Sequence, residues 1–143
     1  MGRFSLSAPS FTIAGIGNSP VLVSELPSGL KNHEFQHVFY GRGMGIHGIT
    51  LTEGANLKDL LSERLKPSQG LIRDGLFVIA GVDGYRCAVT YSEIMNRKDN
   101  AAVIIQDRGV DKSGGRFSCL FTADFFSDRA IKSISEIRLV QGN

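Results

Sequence analysis

The chain has 143 residues and a net charge of +2, which is enough length for one domain and too little charge to indicate a nucleic-acid partner. A chain of this size buries roughly two-thirds of the surface that its unfolded form exposes, so it needs neither a disulfide nor a metal to fold. No stretch approaches the roughly 20 apolar residues that span a bilayer, and the first residues lack the apolar core of a signal peptide. We therefore expect a soluble globular domain without a membrane span.

The first half of the chain predicts an arm, a strand, a hairpin and a helix. Residues 1–10 show no periodicity and are expected to form an irregular N-terminal arm, while residues 11–143 are expected to form a single domain. Residues 10–15 alternate as a strand does. Residues 33–54 predict a hairpin whose glycine-rich turn lies at residues 41–45. Asn56 then caps a predicted helix that ends at Pro67 and carries Leu57, Leu60, Leu61 and Leu65 on one face.

The second half predicts further strands around a tight turn. The apolar residues 76–80 lead into a turn at residues 82–85, where Gly84 is free to take a positive φ. A strand from Arg86 to Tyr91 follows, and Ser92 is the predicted N-cap of a short helix. Strands are expected at residues 100–106, 116–122 and 134–140, with a turn or short helix at residues 124–133. Short helices that do not alternate with the strands favour an α+β fold with a mixed, mainly antiparallel sheet.

Several residues invite a chemical interpretation, and for most of them a structural one is preferred. His37 and His47 could face each other across the hairpin, but a metal would need a third protein ligand, and nothing nearby is a clear candidate. Cys87 and Cys119 form no CxxC pair and are interpreted as small buried hydrophobes. The glycines at residues 41–45 lack the spacing of a phosphate loop and favour a plain hairpin turn. No pair of carboxylates has a spacing that predicts acid–base catalysis.

Two polar loops near the C-terminus suggest an anion site. Gly115 and Arg116 lie in the first, and Arg129 and Lys132 in the second. If both loops meet at one end of the sheet, arginine forks, glycine amides and a lysine charge would surround an anion. Taken by themselves, these residues favour the alternative of two solvated surface loops.

Four segments, in this order, resemble the molybdopterin-binding domain of the sulfite oxidase family. They are a Gly-x-x-Leu-x-Asp-Leu-Leu helix at residues 54–61, Asp-Gly-Tyr at residues 83–85 followed by Ser-Glu-Ile at residues 92–94, an apolar strand at residues 102–105, and a Lys-Ser-Ile-containing end at residues 131–139. The resemblance extends from about residue 11 to residue 140. It implies an α+β fold that, in active relatives, holds a molybdenum–pterin cofactor and performs oxygen-atom transfer or a reductive reaction.

One departure from the family decides what we expect this chain to do. Catalytic members supply a Cys thiolate to molybdenum from a position that falls at residues 40–42 here, where Tyr, Gly and Arg stand. These side chains do not replace a soft thiolate ligand. We therefore expect a non-catalytic module with no metal ligands, which binds a small anionic or pterin-like ligand, or a protein partner. The candidate binding residues are Arg42, Tyr85, Arg116, Arg129 and Lys132.

Two alternatives stay open. In the first, the chain is a molybdenum-cofactor-dependent oxidoreductase with an atypical ligand set, which would bind molybdopterin. In the second, it is a structural subunit of a larger assembly. The sequence names no catalytic residue and does not decide whether the chain is an enzyme. Because catalytic relatives are often exported, the resemblance implies an extracytoplasmic, periplasmic location, although no signal peptide is visible in this chain.

Overall fold

The computed structural model describes residues 9–41, 45–97, 102–109, 115–124 and 129–141, and for residue 35 and residues 37–41 and 45–50 it describes the backbone only. These ranges contain β-strands β1 to β9 and three short helices, α1 to α3. All of the strand pairs are antiparallel except β1 with β9, which is parallel. The expected α+β fold with a mixed, mainly antiparallel arrangement is therefore confirmed.

The strands form two sheets, of which the larger has the order β2-β1-β9-β5-β6. Its members are β1 (Phe11–Ala14), β2 (Val21–Val23), β5 (Gly75–Gly81), β6 (Arg86–Thr90) and β9 (Ile134–Gln141). Along the central strand β9, Ile137 and Leu139 are buried, whereas Arg138 and Val140 are exposed. This alternation is typical of a sheet with one face on the core and the other open to solvent.

The smaller sheet has the order β3-β4-β7-β8 and contains the predicted hairpin. Its members are β3 (Asn32–Gly41), β4 (Gly45–Asn56), β7 (Val103–Asp107) and β8 (Phe117–Phe121). The hairpin strands are confirmed, while turn residues 42–44 lie outside the described residues. The register places Thr50 opposite His37, so His37 and His47 do not face each other in the hairpin. A register shift after Val38 displaces the pairing near the turn.

Helix α1 (Leu57–Ser62) begins at the predicted cap, because the Asn56 side chain accepts a hydrogen bond from the Lys58 N–H at 2.9 Å. It ends at Ser62, earlier than Pro67. Leu65 is nevertheless buried, since the Leu65 N–H donates to the Leu61 carbonyl at 3.1 Å and keeps the chain turning toward the core.

Helix α2 (Gln69–Asp74) was not predicted, and α3 (Tyr91–Met95) begins earlier than expected. Leu71 is the buried residue of α2, so this helix carries no apolar periodicity. The N-cap of α3 is Thr90, whose Oγ1 accepts from the Glu93 N–H at 3.2 Å, and not Ser92, which lies inside the helix. Tyr91 is consequently the first helical residue and not the last residue of the strand.

One hydrophobic cluster joins both sheets and the helices. Phe11 of β1 meets Phe117 of β8 edge to face, with ring centroids 5.1 Å apart, so the two sheets share this core. Phe77 of β5 stacks on Tyr91 of α3 at 6.0 Å, and burial raises the pKa of Tyr91. These phenylalanines are core residues, as such large apolar side chains usually are.

Candidate functional site

Three segments meet at one place beside the larger sheet, and we call this place the seam. They are residues 115–116 before β8, residues 131–133 before β9, and the β5–β6 turn at residues 81–85. The Val82 N–H donates to the Ser133 carbonyl at 2.9 Å. The Gly115 Cα lies so close to Ser133 that a Cβ at residue 115 would overlap the Ser133 side chain. Ile131 and Cys119 exchange backbone hydrogen bonds at 2.8 and 3.0 Å, which fixes the segment before β9 against β8.

The β5–β6 turn has the conformation expected from its sequence. Gly84 has a φ of 90°, and the Tyr85 N–H donates to Asp83 Oδ1 at 3.0 Å. The Gly81 N–H donates to the Tyr85 carbonyl at 2.7 Å and closes the turn. One oxygen of the Asp83 carboxylate is therefore directed to the backbone, and the Tyr85 side chain remains 47% exposed at the rim of the seam.

Ser133 is the most unusual residue of the seam. It is buried, and its Oγ has no hydrogen-bond partner among the described residues. By contrast, the nearby Ser135 Oγ donates to the Ala80 carbonyl at 3.2 Å. Leaving a buried hydroxyl unsatisfied costs about 1–3 kcal/mol, so such a group calls for an explanation.

Lys132 precedes Ser133 in the chain and brings an exposed positive charge to the seam. It is exposed between the buried residues Ile131 and Ser133, and within the described ranges its ammonium makes no hydrogen bond or ion pair. A lysine ammonium acts on an anion as a mobile point charge. Among the described residues, the seam thus contains a lysine ammonium and a serine hydroxyl that have no hydrogen-bond or ion-pair partner.

Arg116 also reaches the seam through its neighbour Gly115, but its charge is already matched. Its Nε and Nη2 donate to the two carboxylate oxygens of Asp107 at 2.9 and 3.0 Å, and its guanidinium lies 4.9 Å from the Phe117 ring centroid. This hydrogen-bonded pair lowers the pKa of Asp107 and raises that of Arg116. The side chain holds the β7–β8 connection together and offers little free charge to a ligand.

Arg129 lies away from the seam, against Phe121 at the far end of β8, with its guanidinium 4.2 Å from the ring centroid. Phe117 and Phe121 begin and end β8, and four residues of strand span roughly 13 Å. Arg129 donates to both oxygens of Asp124 at 2.8 and 2.7 Å and pairs with Glu93 at 2.7 Å. These hydrogen bonds raise the pKa of Arg129, and two carboxylates more than offset its charge. The spacing along β8 therefore separates Arg129 from Arg116.

The described residues offer no thiolate of the kind that catalytic members of the sulfite oxidase family supply to molybdenum. Arg42 lies outside them. Cys119 is fully buried, and burial raises the pKa of its thiol. Burial also raises the pKa of the half-buried Cys87, although the nearby charge of Arg129 opposes this. Both thiols are held in the protonated form, and the ranges described contain no group of three or more His, Cys, Asp or Glu side chains arranged as a metal site.

A cleft of about 220 Å³ opens between the loop at residues 24–31 and the base of the β3–β4 hairpin. Leu26, Leu30 and Ile105 contribute apolar surface, and Glu53 and Asp107 bring carboxylates. Glu53 accepts a hydrogen bond from the Asn32 side chain at 3.2 Å, and Asp107 is occupied by Arg116. Lys31 also lines the cleft, so its wall carries charges of both signs and does not by itself favour an anion.

No protein-family model matches the chain, and no curated protein matches it in sequence. None of the helices in the described residues combines the length and apolar character needed to cross a membrane. The sequence pointed to Lys132 but missed Ser133, because serine is usually a surface residue and nothing in the pattern distinguishes a buried one. The isoleucines on either side of Lys132 and Ser133, Ile131 and Ile134, are both buried. They are the sequence feature that indicates packing of this segment against the core.

Proposed function

We propose that this chain is a non-catalytic binding module for a small anionic ligand, which it holds at the seam with Ser133 and Lys132. The observation that carries the proposal is the buried Ser133 Oγ, which lacks a partner among the described residues and lies against Gly115. An anion that separates Gly115 from Ser133 as it binds is the acceptor that this hydroxyl lacks. Hydrogen bonds from neutral donors to an ionised acceptor are stronger than those between neutral groups.

The chemistry of the seam favours a ligand with a compact anionic group and a planar body. Lys132 supplies the charge, Ser133 supplies a directed hydroxyl, and the half-exposed ring of Tyr85 at the rim supplies a face on which a heterocycle can stack. A pterin-like molecule bearing a phosphate has this composition, in keeping with the resemblance of the sequence. The non-catalytic part of the proposal rests on the absence of Cys at residues 40–42 and on the two protonated thiols.

The test is a calorimetric titration with inorganic pyrophosphate, which presents the anion alone, and with unphosphorylated pterin, which presents the ring alone. We expect pyrophosphate to bind, with an affinity that falls as salt is added. Lys132→Ala should weaken binding at least tenfold, because a charged hydrogen bond contributes about 1.5–3 kcal/mol. Lys66→Ala removes an exposed lysine elsewhere on the surface and serves as the matched control.

Two results would overturn the proposal. One is the absence of pyrophosphate binding to the wild-type protein at millimolar concentration. The other is equal binding by the Lys132→Ala and Lys66→Ala variants, since that would place any anion site away from the seam.

A further inference from the structure

The β3–β4 hairpin leaves a long strand edge without a neighbour. Within the described residues, β4 pairs with β7 only at Ala55 and Asn56, whereas its pairing with β3 continues out to Gly45. Strand β3 is the outer member of the sheet and, in the part of the chain that the structure describes, pairs with β4 alone. Most of the hairpin is therefore a two-stranded ribbon, an arrangement that is at best marginally stable in water without a further layer or strand.

The sequence of β3 carries few of the devices that protect a free edge. Glu34 is its only Asp, Glu, Lys or Arg, and the strand contains no proline. Phe35, Phe39 and Tyr40 give it three aromatic residues in a strand of 10. Edge strands that stay unpaired usually carry lysine, proline or a very short length. An edge of this length and composition is suited to pairing with another strand.

The register of β3 indicates which strand fits. Pairing with β4 is regular from Asn32 to Val38 and shifts before Tyr40, so the regular segment is centred on Phe35. A two-fold axis at Phe35 would align the whole segment antiparallel with its own copy. In that register Glu34 lies opposite Gln36 of the partner subunit, and neither Glu34 faces another carboxylate. This register therefore places no two carboxylates opposite each other.

We propose that two copies of this chain associate by antiparallel pairing of β3 with β3 about a two-fold axis at Phe35. The two four-stranded sheets then become one continuous sheet, and each ribbon gains the neighbour that it lacks. The edge is remote in sequence from the seam, and the proposal does not depend on ligand binding.

Cysteine cross-linking tests the register directly. In Phe35→Cys the two introduced thiols face each other across the axis, within the span that a disulfide bridges. Leu51→Cys is the control: Leu51 is 62% exposed on β4 and pairs with Gln36 in the same ribbon. Across the proposed dimer the two Leu51 positions are separated by three strand spacings, about 14 Å, which is too far for a disulfide. Wild-type protein measures any background from Cys87 and Cys119.

We expect rapid covalent dimerisation of Phe35→Cys under mild oxidation and little of Leu51→Cys. In light scattering, wild-type protein should have the mass of a dimer at about 100 µM. Phe35→Lys should shift it to monomer by placing two ammonium groups at the axis, while Leu51→Lys should leave the dimer intact. Circular dichroism of each variant checks folding, and if Phe35→Lys does not fold, the cross-linking decides. A wild-type monomer at this concentration, or equal cross-linking at both positions, would overturn the proposal.

Discussion

The backbone of Gly115 packs directly on the side chain of Ser133, and this contact joins the start of β8 to the segment that enters β9. Gly115 also has a φ of +105°, a conformation that favours glycine. Gly115→Ala therefore adds a steric overlap to a backbone penalty, and together these should lower the free energy of unfolding by about 2–4 kcal/mol. Chemical denaturation measures the loss.

Gly109→Ala is the matched control for this prediction. Gly109 has a similar φ of +95°, but a Cβ there would meet no atom within 4 Å. This variant should show the backbone penalty alone, about 1–2 kcal/mol. Equal losses at the two glycines would mean that the Gly115–Ser133 contact is not close.

Two local features, the N-cap of α1 and the β5–β6 turn, were predictable from the sequence, whereas helix α2 and the partners of the charged residues were not. Asn56 and Gly84 act through neighbours in the chain, so the cap and the turn were identified correctly. The ion pair of Arg129 with Glu93 depends on how α3 packs beside the end of β8, which no local pattern encodes. For the same reason the anion site was predicted with two arginines that the structure shows to be paired.

The ion pairs of Arg129 with Asp124 and Glu93 predict that this side chain stabilises the fold and does not bind the anion. The Arg129 side chain is 28% exposed and connects Asp124 to Glu93 of α3. Arg129→Ala leaves both carboxylates without this partner and should lower the free energy of unfolding by about 1.5–3 kcal/mol. Arg129→Lys should recover only part of the loss, because lysine lacks the planar fork. Thermal and chemical unfolding check both values.

The control is Arg73→Ala, since the Arg73 side chain is 76% exposed beside Asp74. Its removal should change stability by less than about 0.5 kcal/mol. In pyrophosphate titration, Arg129→Ala should bind like the wild-type protein. A loss of binding without a loss of stability would instead return Arg129 to the ligand site.

The hydrogen bonds from Arg116 to Asp107 should stabilise the fold near neutral pH, and this stabilisation should disappear in acid. Its hydrogen bonds from Arg116 hold the pKa of the folded-state carboxyl below the unfolded value of about 3.9. The contribution is fully present above that unfolded value and is lost as the pH falls through the lowered, folded-state pKa. Urea unfolding from pH 7 to pH 3 measures the difference in the free energy of unfolding between wild type and Asp107→Asn. This difference should narrow below about pH 4.

Arg116→Gln provides the test of cause. In that background the same Asp107→Asn comparison should show a much smaller gap and little change with pH, because the partner that lowers the pKa of Asp107 is gone. A gap that stays constant down to pH 3 in the wild-type background would show that the pair does not shift this pKa.

The proposed function depends most on Ser133. The most direct test is therefore the dissociation constant of the Ser133→Ala variant for pyrophosphate. We expect binding to weaken at least tenfold, while the free energy of unfolding stays the same or rises by about 1 kcal/mol, because an unsatisfied hydroxyl has been removed. Ser135→Ala, which loses the hydrogen bond to Ala80, should lose stability and keep its affinity. Unchanged affinity in Ser133→Ala would contradict the proposed function.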